Sequence, residues 1–342
     1  MMRQDRYATA AEYSIAVLLS IFLATTVYYA SSEIAARRGH RAEAVQHQLA
    51  IARRQPMIID GTPSDISEYR GRVFVPYLLI TLAHSHLLHS DEQRYGAVRL
   101  VTGAIMFLAV WMFARIQLRV TTSLAAMLVG LLAVWFVTSF NYPWEVPTDF
   151  IDVIVLLIGI ALVRRGHRSA LIALVALSTL NRESSAYIGV LCVWSAALEP
   201  QPKMKNYAFG LGLIALAVTE MVVLRTLNRL PGADLHNHFM LLTNVNQLGV
   251  ALSGLPAPGW LVPLSTGGLA LIVWLRVRAR FATATDIALT RTALTIVVPT
   301  WMVTNAGELR VYLPSLVLAL IAVVEREQRF LAVDSVATAN EP

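Results

Sequence analysis

The chain has 342 residues, 56% of them hydrophobic and only 15% charged, and its mean hydropathy is +0.58. A soluble domain of this length carries roughly 25% charged residues, so the composition excludes an ordinary soluble enzyme and points to an all-α, polytopic integral membrane protein. The single cysteine, Cys192, excludes an internal disulfide and a cysteine metal cluster, and a net charge of +6 carried by arginines between apolar runs gives no sign of nucleic-acid binding.

The first apolar run, 12–30, is too long for the core of a signal peptide and is read as a transmembrane helix. The segment SSEIAARRGHRAEAVQHQLAIARR follows it, helix-forming and amphipathic, as expected of a helix lying along the membrane surface. Then comes IIDGTPSDISEYRGRVFVPYLL, a turn-rich stretch leading into a short apolar run at 72–88. Further transmembrane helices are predicted near 96–114, 120–140, 150–163, 168–180, 184–198, 206–226, 259–275, 286–304 and 309–325. The tail 326–342 is polar and expected to fray and to lie in the cytoplasm, leaving 1–325 as one transmembrane domain.

The basic residues orient this array. Arg115 and Arg119, Arg164, Arg165 and Arg168, Lys203 and Lys205, Arg276, Arg278 and Arg280, and Arg326 and Arg329 cluster in short connections, which stay cytoplasmic. About ten crossings with the N-terminus inside satisfy all of these clusters. Counting 72–88 as a full crossing breaks the agreement, so it is expected as a juxtamembrane or re-entrant helix within an outer segment spanning 31–95. The arginines of that outer segment run against the rule, which weakens as loops lengthen.

This topology gathers the unusual polar residues on the outer face of a cytoplasmic (inner) membrane. The first outer segment supplies Asp60, Asp65, Glu68, Arg70 and Arg72; the second, NYPWEVPTDF, supplies Glu145 and Asp149, with Asp152 one turn on. Asn181, Arg182 and Glu183 interrupt two apolar runs. His236 and His238 lie in RLPGADLHNHFMLLTNVNQLG, and Glu308 and Arg310 in NAGELRVYLP. Charges at a membrane edge are costly and usually face an interior site. Arginines paired with acids suit an anionic, membrane-borne substrate: arginine offers phosphate a fixed fork of donors, and a carboxylate can act as general base.

In its first 200 residues the chain resembles the GT-C superfamily of membrane glycosyltransferases, which includes oligosaccharyltransferases, protein O-mannosyltransferases and aminoarabinose transferases. The likeness rests on a large first outer loop with acids and juxtamembrane helices, an acidic second outer loop opening the fourth helix (Glu145 and Asp149), and a basic residue at the outer end of the fifth (Arg182). It implies transfer of a sugar from a polyprenyl-phosphate carrier to a saccharide, lipid or protein acceptor on the outer face, with inversion. It also implies that Asp60 or Asp65 is the loop-one carboxylate acting as base. Arg70, Arg72, Arg182 or Arg310 would then hold the phosphate leaving group. No cofactor is fixed by the sequence, and a divalent cation stays open. The chain departs from the family in lacking a large C-terminal soluble domain, so acceptor recognition falls to the membrane loops.

Plainer roles exist for the same residues. DGTPSD is turn and cap chemistry, Glu68 stands at capping distance from Asp65, YPWEVPTD reads as a proline-bounded helix start, and Arg182 with Glu183 makes a structural ion pair. Of His84, His86 and His89 only the last two share a helix face, too few for a zinc site. Two other functions compete: a transporter or flippase for a lipid-linked saccharide, which would show inverted repeats and broken midplane helices, and a non-catalytic subunit of envelope-polysaccharide assembly. No repeat is evident in the sequence.

Overall fold

A computed structural model describes residues 10–37, 41–59, 62–64, 72–84, 88–139, 146–228, 279–303 and 312–339. The described chain is helical apart from one small hairpin, Met57–Ile59 (β1) paired antiparallel with Thr62–Ser64 (β2), Ile59 opposite Thr62. Three described helices are long and apolar enough to cross a membrane: Ala10–Glu33 within α1 (Ala10–Arg37), α4 (Asp91–Ile116) and α9 (Met204–Leu227). The predicted helix near 259–275 lies outside the described residues.

The chain forms two compact units, residues 1–186 with 215–236, and residues 187–214 with 237–342. In the first, α1 packs along α4, and α4 along α5 (Thr122–Ser139) and α6 (Val146–Arg165). Trp111, Phe107 and Phe136 are fully buried between them, and the rings of Phe136 and Phe150 meet edge-on at 4.8 Å. Gly103 lets the backbones close up: a Cβ there would stand 3.1 Å from the Phe150 ring and 3.4 Å from Ala24.

Helix α6 reverses into α7 (Arg168–Thr179) through two residues. Gly166 takes φ +69°, its N–H donates to the Val163 carbonyl, and the His167 N–H donates back to Leu162. This is the double bond of a Schellman motif, which needs a left-handed residue at that position, and glycine adopts it without strain. The short turn makes α7 antiparallel to α6 and lays one against the other.

The ends of this unit differ. At one end Arg115 pairs with Glu12 at 3.5 Å, Thr122 donates to Glu12 at 2.8 Å, and Arg164 lies over the Phe113 ring. At the other, Arg99 is buried against Ser31 and the ring faces of Tyr28 and Tyr95. Here α2 (Arg41–Arg53) and α3 (Phe74–His84) add a small core of Val45, Leu49, Val75 and Leu79 against Tyr95 and Val98 of α4, with Ile151 of α6 packed on it.

In the second unit, α8 (Ala186–Ala197) and the first half of α9 touch at Gly189 and Gly210. A Cβ on Gly189 would stand 2.8 Å from the Gly210 carbonyl oxygen and 2.9 Å from the Ile214 nitrogen, so only glycine fits. Helices α10 (Ala284–Val303) and α11 (Leu313–Ala339) pair lengthwise. Asp286, fully buried, caps α10 together with Thr283 and is gripped by Arg326 at 2.9 Å and by Arg329.

Several expected boundaries shift. Helix α1 runs on to Arg37, past the expected end at residue 30. Helix α4 starts at Asp91 because Ser90 and Gln93 form a reciprocal capping box: Gln93 N–H donates to Ser90 Oγ, and Ser90 N–H to Gln93 Oε1. Residues 326–339 continue α11 as helix, where fraying was expected, since Arg326 and Arg329 are tied down by Asp286. The run expected at 72–88 is the 11-residue helix α3. At 1.5 Å per residue that is about 17 Å, too short to cross a bilayer core.

Candidate functional site

The N-terminus of α6 supplies two acids. Asp149 and Asp152 are three residues apart, so they share a helix face, and they are 1% and 8% exposed. Asp149 lies in the first turn, where a negative charge is favoured by the helix dipole. Opposite them, α7 ends at Thr179 and the chain passes through residues 180–182 into a single 3-10 turn, Glu183–Ser185. Because α6 and α7 run antiparallel from their Gly166 turn, this break comes back level with the first turns of α6.

Three side chains of the break bond to α6. Asn181, 1% exposed, donates from Nδ2 to the Thr148 carbonyl at 3.0 Å and to Asp152 Oδ1 at 3.0 Å. That fixes its orientation, because a flipped amide would set its oxygen against a carbonyl and a carboxylate. Arg182 donates from Nη1 to Asp149, and its Nε lies 3.7 Å from Asp152 Oδ2. Ser184 Oγ donates to Asp152 Oδ2 at 2.6 Å. Beneath them Thr179 and Ser185 share a hydroxyl hydrogen bond at 2.8 Å.

A third segment joins at the backbone. The N–H groups of Val73 and Phe74 both donate to the Leu180 carbonyl at 2.9 Å. This satisfies amides at the start of α3 that have no partner within the helix, and it brings the buried Arg72 to the same turn.

The structure thus unites Asp149 and Arg182, which the sequence analysis drew from separate loops, and sets Arg72 beside them through its backbone. Of Glu183 only the backbone position is described, within the 3-10 turn. Asp60, Asp65, Glu68, Arg70, Glu145, His236, His238, Glu308 and Arg310 lie outside the described residues. His84 is exposed and donates from Nδ1 to the Ile80 carbonyl within its own helix. Among the described residues no group of three His, Cys, Asp or Glu side chains is placed to hold a metal ion.

Sequence reasoning gathered Asp152 and Asn181 on the outer face without assigning either a task, and it passed over Ser184; all three hold the centre of the network. The three-residue spacing of Asp149 and Asp152 was the available signal for the first. Nothing in the sequence marked the other two as facing α6.

Comparison with protein-family models, with curated proteins and with solved structures finds no match for this chain.

Proposed function

We propose that the chain is a membrane glycosyltransferase of GT-C type, moving a sugar from a polyprenyl-phosphate carrier to an acceptor at the outer face of the cytoplasmic membrane. The observation that carries this reading is the buried Asp149–Arg182–Asp152–Asn181 network. It lies at the end of its helical unit opposite the Arg115 and Arg164 turns. A buried ion network is expensive to desolvate and is weak evidence for stability, so a working role is the better account of it.

In this reading about ten helical segments enter the bilayer, the 12-residue α7 and α8 reaching only part of the way across, and the arginine-rich turns face the cytoplasm. Asp152 stands 13 residues before Arg165, about 20 Å along α6. In a hydrocarbon core ~30 Å thick, with Arg165 at the inner edge, Asp152 lies about 5 Å beyond the midplane, in the outer leaflet. Arg182 positions the two carboxylates. Arg70, Arg72 or Arg310 holds the phosphate, and Asp60 or Asp65 takes the proton of the acceptor hydroxyl as it attacks the anomeric carbon. Glu68, Glu145, Glu183, His236, His238 and Glu308 remain candidates for binding saccharide.

A transporter for lipid-linked saccharides is the second reading. It is favoured by the two 12-residue helices, α7 and α8, that flank a polar break. The deciding experiment uses the purified chain in liposomes with radiolabelled polyprenyl-phosphate hexoses. Label passing to a new acceptor, and lost in Asp60→Asn or Asp65→Asn, supports the transferase. Label that crosses the bilayer still attached to its lipid rejects it in favour of the transporter.

A further inference from the structure

The polar break also has a direction, set by where its hydrogens point. Ser184 has one hydroxyl hydrogen, and the 2.6 Å bond to Asp152 Oδ2 uses it. A carboxylate can only accept, so Ser184 is locked with its proton toward α6 and presents lone pairs alone. Asn181 is locked in the same sense, with both Nδ2 bonds directed at α6. Its Oδ1 is buried and accepts no hydrogen bond among the described residues. Asn181 and Ser184 therefore turn their donors to α6 and leave acceptors, and Arg182 between them likewise directs Nη1 and Nε at the α6 acids. Asn181 and Asp152 are shut away, whereas Ser184 is only partly buried.

Charge does not decide what binds there. Asp149, Asp152 and Arg182 sum to −1, and Arg72 brings the group to zero. Hydrogen-bond polarity does decide. A phosphate oxygen accepts and gives nothing to Ser184, whereas a sugar hydroxyl donates.

We infer that Ser184, held by Asp152, is a recognition residue for a hydroxyl group of the carried sugar, and that the 181–184 break is the saccharide side of the site. The phosphate falls to Arg70, Arg72 or Arg310, outside the 181–184 segment. This rests on the glycosyltransferase reading for the identity of the ligand. It assigns Ser184 a binding role and no part in bond-making. It also separates Arg182 from the phosphate.

The test is binding to the full-length protein in nanodiscs. The probes are a polyprenyl-phosphate hexose, its monodeoxy analogues and the bare polyprenyl phosphate. Wild type is expected to bind the sugar-bearing lipid about tenfold more tightly than the bare one, the worth of one hydrogen bond. One deoxy analogue should lose that advantage. Ser184→Ala should abolish it without changing affinity for the bare phosphate, and Ser184→Thr should restore it.

The inference is overturned if Ser184→Ala weakens both lipids equally, if it leaves the preference intact, or if wild type shows no preference. Should Ser184→Ala not fold, the deoxy series on wild type decides alone: no analogue losing about tenfold rejects the assignment. A Ser184-dependent preference without sugar transfer keeps the subsite and removes the transferase. Transfer with a preference indifferent to Ser184 does the reverse.

Discussion

Asn181 Nδ2 donates to Asp152 Oδ1 at 3.0 Å, across 29 residues of chain, and the same nitrogen donates to the Thr148 carbonyl. One amide therefore fastens the break after α7 to the first turns of α6. Replacing Asn181 by Leu leaves a buried carboxylate and a carbonyl each short of a donor. An unmet buried polar group costs about 1–3 kcal/mol, so Asn181→Leu should lower the thermal midpoint of the detergent-solubilised protein by several degrees. Asn181→Asp should lower it further, since a third acid joins Asp149 and Asp152. A midpoint unchanged in both would mean that the amide holds nothing.

Arg182 and Asp149 form a buried ion pair in the first unit. Removing one partner of a buried pair typically costs about 3–5 kcal/mol, and replacing both costs far less. Arg182→Met should be severely destabilised, and Asp149→Leu combined with it should recover part of the loss. A double-mutant cycle on chemical denaturation measures the coupling; additive losses would refute the pair.

In the second unit, Asp286 is shared unequally. The Arg326 side chain is 6% exposed and that of Arg329 33%. Arg326→Gln should destabilise more than Arg329→Gln, because screening by solvent weakens the outer pair. Asp286→Asn should exceed both and open residues 326–339 to protease. Protection of that segment in Asp286→Asn would show that packing of Phe330 on Phe281 suffices to hold it.

The glycines separate into two kinds. Gly189→Ala puts a methyl group into the backbone of α9, and Gly210→Ala puts one 2.9 Å from the Val193 nitrogen. Both should reduce the yield of folded protein and lower its midpoint. Gly130 and Gly212 have open space where a Cβ would go. Alanine there should be neutral or stabilise by up to about 1 kcal/mol through helix propensity. Equal effects at all four positions would contradict the close crossing of α8 and α9.

Sidedness is testable in a Cys192→Ala background. Gly166→Cys and Ser184→Cys lie at opposite ends of the α6–α7 pair. With intact cells and an impermeant thiol reagent, Ser184→Cys should label and Gly166→Cys should label only after permeabilisation. The reverse pattern would invert the proposed orientation.

Much of the helical order was legible because apolar runs punctuated by arginines are a strong signal. Helices α5 to α9 fall close to their expected bounds for that reason. What the runs hide is capping: SDEQ at 90–93 extends α4 by a turn, and its polar character made it look like loop. The ion ties of Asp286 were hidden for another reason, since 40 residues separate it from Arg326. Asp149 and Arg182 were identified as separate charges at one face. Their pairing depends on the two-residue reversal at Gly166, which sets the register of α7 on α6. Asn181 was legible as part of a polar break but its two bonds to α6 were not, and Ser184, uncharged and at a helix start, has a part that emerges only from the fold.

Helix α7 has 12 residues, about 18 Å at the α-helical rise. In the proposed membrane arrangement it stops well short of a ~30 Å hydrocarbon layer, and the polar break it carries would be left below the lipid headgroups. Either the leaflet thins around that point or water descends to it, and both cost a fraction of a kcal/mol per Å of hydrophobic mismatch. That cost grows with acyl chain length. In that arrangement the thickness of the surrounding lipid becomes a variable of the site, and reconstitution in short-chain and long-chain phospholipids should give the same protein two different stabilities.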